Sequence, residues 1–255
     1  MKETVLITGA TSGIGYGFVK KFAKENYNLV LVARNKKKLK ALKEKLKKYV
    51  TVKTIVQDLS EDNAAERIVK KLKKKELKID ILINNAGLGN YGFFPETDLE
   101  TDKELLDVNI KALTILTKLI SKQMLEQKMG RILNVSSLSA VFSGPYMNTY
   151  FASKAYVLNF SIALANELNG TGITVSCLCP GPTSGTDFGK KAHYDREISR
   201  RHYKTVNYVV EHAYKKLMKG KLRIIPGFKN KILYFLPRLV SRRIVATAVK
   251  KLSGF

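Results

Sequence analysis

Short apolar runs alternate with helix-length amphipathic stretches along the whole chain. The runs fall at Thr4–Ile7, Leu29–Val32, Val50–Val56, Ile79–Ile83, Arg131–Val135, Ile173–Leu178 and Leu222–Ile225. They are rich in Val, Ile and Leu and mostly continuous, as in strands covered on both faces. Between them, apolar residues recur at helical spacing near residues 14–25, 36–48, 61–75, 101–128, 150–168 and 205–219. In the second stretch Leu39, Leu42 and Leu46 fall at i, i+3 and i+7, with lysines on the rest of the surface. Strand–helix alternation of this kind predicts an α/β fold: a doubly wound, seven-stranded, mainly parallel sheet with helices on both faces. No linker rich in Pro, Gly or Ser and no repeat interrupts the pattern, so residues 1–255 read as one domain. Asp58-Leu59-Ser60-Glu61 reads as the N-cap of the third helix. Thr183–Lys204 is polar and aperiodic, and residues 183–204 are the candidate substrate loop above the carboxyl edge of the sheet.

Composition narrows the function. The chain has 255 residues, enough for a full core. It carries 46 Lys and Arg against 21 Asp and Glu, a net charge of +25. Such a charge can serve nucleic acid or anionic lipid. The lysines are spread over several helices and form no recognisable nucleic-acid module, so no nucleic-acid partner is expected. The longest apolar runs, such as Leu29–Ala33 and Ile232–Leu236, are far shorter than the ~20 residues of a membrane span. No secretory signal pattern opens the chain. Cys177 and Cys179 share one face of a strand and read as buried thiols in a reducing compartment, so a cytoplasmic location is expected. His193, His202 and His212 form no ligand cluster, and no metal is expected. Phe228–Leu252, within the C-terminal amphipathic segment 228–255, mixes Ile232, Phe235 and Leu239 with Lys229, Lys231, Arg238, Arg242 and Arg243. Packing over the substrate cleft or a partner subunit is the preferred reading of it, and weak contact with an anionic membrane surface the alternative.

The candidate chemistry begins after the first strand, at Thr8-Gly9-Ala10-Thr11-Ser12-Gly13-Ile14-Gly15. Glycines there permit a tight strand-to-helix turn, and the following helix points its first amides at a phosphate. An NAD site usually has an acid at the end of the second strand; here Val32-Ala33 is followed by Arg34, suited to bidentate binding of a 2′-phosphate. Lys36–Lys38 add positive potential. Tyr150 and Lys154 stand at i and i+4 on a helix, where an ammonium can favour phenolate and lower the phenol pKa. Ser137 lies thirteen residues before Tyr150, just beyond an apolar strand. Asn84-Asn85-Ala86-Gly87, Asn109 and Cys179-Pro180-Gly181-Pro182 complete the set.

With these motifs in this order over essentially the whole chain, the sequence resembles the short-chain dehydrogenase/reductase family, in its single-domain, NADP-preferring branch. The resemblance implies a Rossmann-type fold, a homodimer or homotetramer, and an NADPH-dependent enzyme acting on a small carbonyl or alcohol. It implies that Tyr150 is the general acid, that Lys154 binds the nicotinamide ribose and lowers the Tyr150 pKa, and that Ser137 bonds the substrate oxygen. Asn109 would hold a water relay behind Lys154. Gly9, Thr11, Ser12, Gly13, Ile14 and Gly15 would cradle the phosphates, Arg34 the 2′-phosphate, and Asp58 with Leu59 the adenine. Asn85, Ala86 and Gly87 would support the cofactor, and Pro180 and Gly181 would flank the carboxamide. The family's carboxamide Thr lies five residues past the Pro; here Thr186 lies six past Pro180, so either Thr186 or Thr183 takes that place. Ser12 stands where NADP enzymes often have Arg or Lys, so the cofactor preference rests on Arg34. A non-enzymatic dinucleotide sensor or scaffold and a membrane-surface reductase of a lipid ketone are the alternatives. The intact Ser137, Tyr150, Lys154 and Asn109 set argues against the first.

Overall fold

The computed structural model describes residues 2–192 and 203–253. Seven parallel strands form the main sheet in the order β3-β2-β1-β4-β5-β6-β9. They are β1 (Thr4–Thr8), β2 (Asn28–Ala33), β3 (Val52–Val56), β4 (Ile81–Asn84), β5 (Gly130–Val135), β6 (Ile173–Leu178) and β9 (Arg223–Ile224). Successive side chains of a strand point to opposite faces. Val5 and Ile7 therefore pack under α1 (Gly13–Lys24), α2 (Lys36–Leu46) and α8 (Val206–Leu217), and Leu6 under α3 (Ala64–Lys73) and α5 (Leu113–Gln127). Both faces are covered, as the continuous apolar runs require.

Two elements depart from the sequence pattern. The stretch 101–128 is helical without a break but not α throughout. It is α4 (Leu99–Leu106), a π-helical turn at Asp107–Ala112, then α5. Hydrophobic periodicity does not register the one extra residue of such a turn, and π turns gather at functional sites. The third helix does not start on Asp58. It starts at Ala64 after Asn63 in the left-handed region (φ +54°), while the Asp58 carboxylate accepts bonds from Ser60 N and Oγ. The excursion 183–204 is pinned at its base by a two-residue parallel pairing of β7 (Thr183–Ser184) with β8 (Lys204–Thr205). It also carries the short helix α7 (Phe188–Lys191). Its residues 193–202, with His193 and His202, lie outside the described residues.

Because all main-sheet strands run the same way, Thr8, Asn84, Val135 and Leu178 end on one edge. Just inside that edge runs a buried polar chain. Asn84 Nδ2 donates to Thr117 Oγ1 and to Asn134 Oδ1 at 2.8 and 2.9 Å. Asn134 Nδ2 donates to Ser161 Oγ at 3.0 Å, on the long helix α6 (Asn148–Glu167). Asn134 and Ser161 are wholly buried, so each bond stands in for water. Asn134→Leu should cost about 2–3 kcal/mol, because it strips partners from two buried groups. The urea midpoint should fall with the slope unchanged; an unmoved midpoint would show that the chain of bonds adds nothing to stability.

Candidate active site

The glycine turn joins β1 to α1 and is built by contact. A Cβ on Gly15 would lie 2.2 Å from the carbonyl oxygen of Gly9 and 2.4 Å from Asn85 Nδ2, so no other residue fits. Asn85 Nδ2 donates to Thr8 O at 3.0 Å, and the Thr8 hydroxyl accepts from the amides of Asn85 and Ala86. Asn85 and Ala86 thus hold the turn from behind. Thr8 is a site residue that the motif contains and the sequence reading passes over. Helix α1 begins after Ser12 with no side chain capping it and no acid in its first turn. Its positive end is left for an anion.

Arg34 follows β2, and its side chain is 60% exposed. Nη1 stands 3.6 Å from Asp58 Oδ2. Burial raises the Asp58 pKa, but the Ser60 bonds and the Arg34 charge outweigh it and hold the carboxyl below its usual range. Asn35 caps α2 by accepting from Lys38 N at 2.9 Å. Beside the turn, an open cleft of about 240 Å³ is lined by Thr11, Tyr16, Lys38, Ala41, Leu42 and Lys45. Tyr16 and Lys45 belong to no motif, and only the packing of α1 near α2 brings them there.

The second half of the site gathers around α6. Tyr150 and Lys154 are buried one turn apart. Burial lifts the Tyr150 phenol above its ordinary range, opposed by the nearby hydroxyls of Ser137 and Ser139. The sequence expectation that Lys154 lowers this pKa is not what governs here: Lys154 Nζ lies 5.7 Å from the centre of the ring and donates to Val135 O at 3.1 Å. Burial also pushes the Lys154 ammonium down to about 8. The two serines are used differently. Ser136 Oγ donates to the Lys154 carbonyl at 2.7 Å, inside the core, whereas Ser137 faces the phenol. Spacing picks the same serine.

Gly87 meets both halves. A Cβ there would lie 3.1 Å from Lys154 Nζ and 3.3 Å from Asn109 Oδ1. The Asn109 amide is fully engaged. It accepts from Leu88 N and donates to Leu88 O and to Ser153 Oγ at 2.9–3.0 Å. This ties the π turn, the loop after β4 and α6 into one unit. Pro180 O accepts from Leu138 N at 2.8 Å, which fixes the Pro180-Gly181 turn beside Ser137. The Thr183 hydroxyl donates to Gly181 O, while the Thr186 methyl lies 3.4 Å from where a Gly13 Cβ would be. Thr186, not Thr183, therefore reaches the glycine turn. Leu59 packs against the core on one face of the sheet, and Ile14, in the first turn of α1, against the core on the other. Around Tyr150 the walls are apolar: Phe188 and Phe151 at ring distances of 5.0 and 6.1 Å, then Leu88, Tyr91 and Met147.

A family model described as short chain dehydrogenase matches residues 3–197. A short chain dehydrogenase of Pseudocercospora fijiensis is 34% identical over 186 residues, 70% of this chain and 59% of that protein. A probable NADP-dependent dehydrogenase of Haemophilus influenzae is 32% identical over 209 residues, 81% of this chain and 82% of its own. The solved short-chain dehydrogenase of Sphingobium yanoikuyae in complex with NADPH superposes with a TM-score of 0.83 at 33% identity, covering 89% of this chain and 88% of that one.

Proposed function

The chain belongs to the short-chain dehydrogenase family, and from that premise we propose an NADPH-dependent oxidoreductase that reduces the carbonyl of a largely apolar small molecule. The observation that carries the reading is the convergence of Tyr150, Ser137 and Lys154 at the sheet edge that also holds the uncapped start of α1. When bound, NADP(H) supplies or accepts the hydride. The α1 amides with Gly9, Thr11 and Ser12 hold its pyrophosphate, Arg34 its 2′-phosphate, and Asp58 with Leu59 its adenine side. Pro180, Gly181 and Thr186 flank the carboxamide. Lys154 binds the nicotinamide ribose, and Gly87 leaves room for its ammonium.

Ser137 accepts from the Ser139 amide at 3.1 Å, which leaves its own proton free for the substrate oxygen. Tyr150 donates the proton to that oxygen. The phenol is protonated at neutral pH, as a donor must be, while burial by itself makes it a weaker acid. Asn109 is a positioning residue whose amide is already bonded, so a water relay at this residue would use its main chain. The aromatic walls favour a substrate with apolar groups on both sides of the carbonyl.

Both sites share one domain in this reading. The chain self-associates as a homodimer or homotetramer through α5 and α6, where Tyr156 is exposed, stacks on Phe160 at 5.8 Å and bonds Thr114. Cys177 and Cys179 are free and buried, with sulfurs 3.9 Å apart, which suits a reducing cytoplasm. Arg34→Ala tests the cofactor assignment. Loss of a charge-assisted contact worth about 1.5–3 kcal/mol should raise the NADPH dissociation constant roughly 10- to 150-fold and leave NADH nearly unchanged. Equal weakening of both would move the 2′-phosphate away from Arg34.

A further inference from the structure

Helix α9 (Phe228–Phe235) and the turn that follows it, Leu236–Arg238, present their apolar side to solvent. Stepping about 100° per residue, Phe228, Ile232 and Phe235 of α9 fall within about 60°, and Leu236 and Leu239 continue the exposed apolar surface past its end. All five are exposed, from 46% at Phe235 to 81% at Leu239. A helix of a globular protein normally turns such a stripe into the core. Here the opposite side is seated instead. Tyr234 is wholly buried against Leu138, Cys179 and Ile225, and Asn230 donates to Pro226 O at 2.7 Å and lies against Gly181. Of the expected packing over the cleft or a partner subunit, this one side packs against the chain's own core. The seat fixes which way the stripe points.

The rest of the surface there is cationic. Residues 228–253 contain Lys229, Lys231, Arg238, Arg242, Arg243, Lys250 and Lys251 and no Asp or Glu. These seven cations are all exposed, and Arg238 lies over the Tyr234 and Phe235 rings at 5.6 and 5.3 Å. Among the described residues none forms an ion pair in this segment. A second copy of the chain would set these cations against their own equivalents. Nucleic acid would answer the charge and leave the apolar stripe in water. A bilayer with anionic headgroups answers both. We infer that α9 and α10 (Arg242–Ser253) dock this protein on the surface of an anionic membrane, with the stripe among the acyl chains and the basic residues at the headgroups. No helix of the described residues is long and apolar enough to cross a membrane, so the contact is interfacial.

The chain has no Trp, so one introduced Trp reports alone. With vesicles of phosphatidylcholine and phosphatidylglycerol, Leu239→Trp emission should shift to the blue, while Tyr49→Trp, also exposed but in the turn after α2, should not move. Phosphatidylcholine alone should give no shift. In sedimentation with the anionic vesicles, Phe235→Ser with Leu239→Ser should lower the partition coefficient at least about tenfold. Reversing one cation, Arg242→Glu, should lower it roughly fivefold or more. Replacing Lys73, Lys74 and Lys75 by Gln, at the end of α3 and in the turn after it, should change it less. Binding that ignores the serine pair and follows total charge alone would overturn the inference. So would a wild-type chain left in the supernatant, or a Leu239→Glu variant that turns an assembled protein into monomers without lipid, which would make the stripe a subunit interface.

Discussion

Tyr150→Phe is expected to lose a factor of about 10²–10⁴ in turnover while NADPH binds within about twofold of wild type. The ring stays between Phe188 and Phe151, so packing is kept and only the hydroxyl is removed. Burial is the leading influence on this phenol and raises its pKa, so the hydroxyl, protonated at neutral pH as any tyrosine is, stays so. That is the state a proton donor needs for carbonyl reduction. Ser137→Ala should lower turnover with little change in cofactor affinity. Ser136→Ala should act mainly on stability, because the Ser136 hydroxyl is bonded to the Lys154 carbonyl inside the core. The measurement is turnover of an apolar ketone with NADPH, with cofactor binding followed separately by fluorescence. Near-normal turnover in Tyr150→Phe would place the donor elsewhere. Tyr146, whose φ of +66° marks a constrained backbone, would be examined next.

Lys154→Met should abolish most activity and still make the protein more stable at pH 7. Burial holds the Lys154 pKa near 8, against 10.5 for the free side chain. The folded state binds this proton less tightly than the unfolded state does. Below pH 8 the cost is therefore present in full, about 3 kcal/mol at 1.36 kcal/mol per pKa unit. It fades as the pH rises from 8 towards 10.5. Met has a similar length and carries no charge, but it gives up the hydrogen bond to Val135 O, worth about 1 kcal/mol. A net gain of about 2 kcal/mol at pH 7 follows, shrinking through pH 8–10. Above pH 10 stability falls in both proteins, since Tyr27, its pKa raised chiefly by burial, ionises more readily once unfolded. Chemical denaturation at pH 7, 8.5 and 10 would measure this. A Lys154→Met protein less stable than wild type at pH 7 would mean that the ammonium is not disfavoured in its site.

Much of this was legible along the chain because it depends on near neighbours. Continuous Val, Ile and Leu runs can be satisfied only between two helix layers, so the parallel sheet follows from composition and spacing. The glycine turn, Arg34 after β2 and the i, i+4 pair Tyr150 and Lys154 are likewise local, and so is the thirteen-residue step that selects Ser137. Tertiary structure decided what involves distant segments. The π turn around Asn109 matters because its amide reaches Leu88 and Ser153, far away in sequence. The pKa directions at Tyr150 and Lys154 follow from burial, which no i, i+4 rule contains. Thr186 rather than Thr183 reaches the glycine turn because the chain closes back through the β7–β8 pairing. The apolar stripe of α9 is periodic in sequence, but periodicity cannot say whether a stripe faces inward. Tyr234, seated in the core on the opposite side of that helix, turns it to the outside.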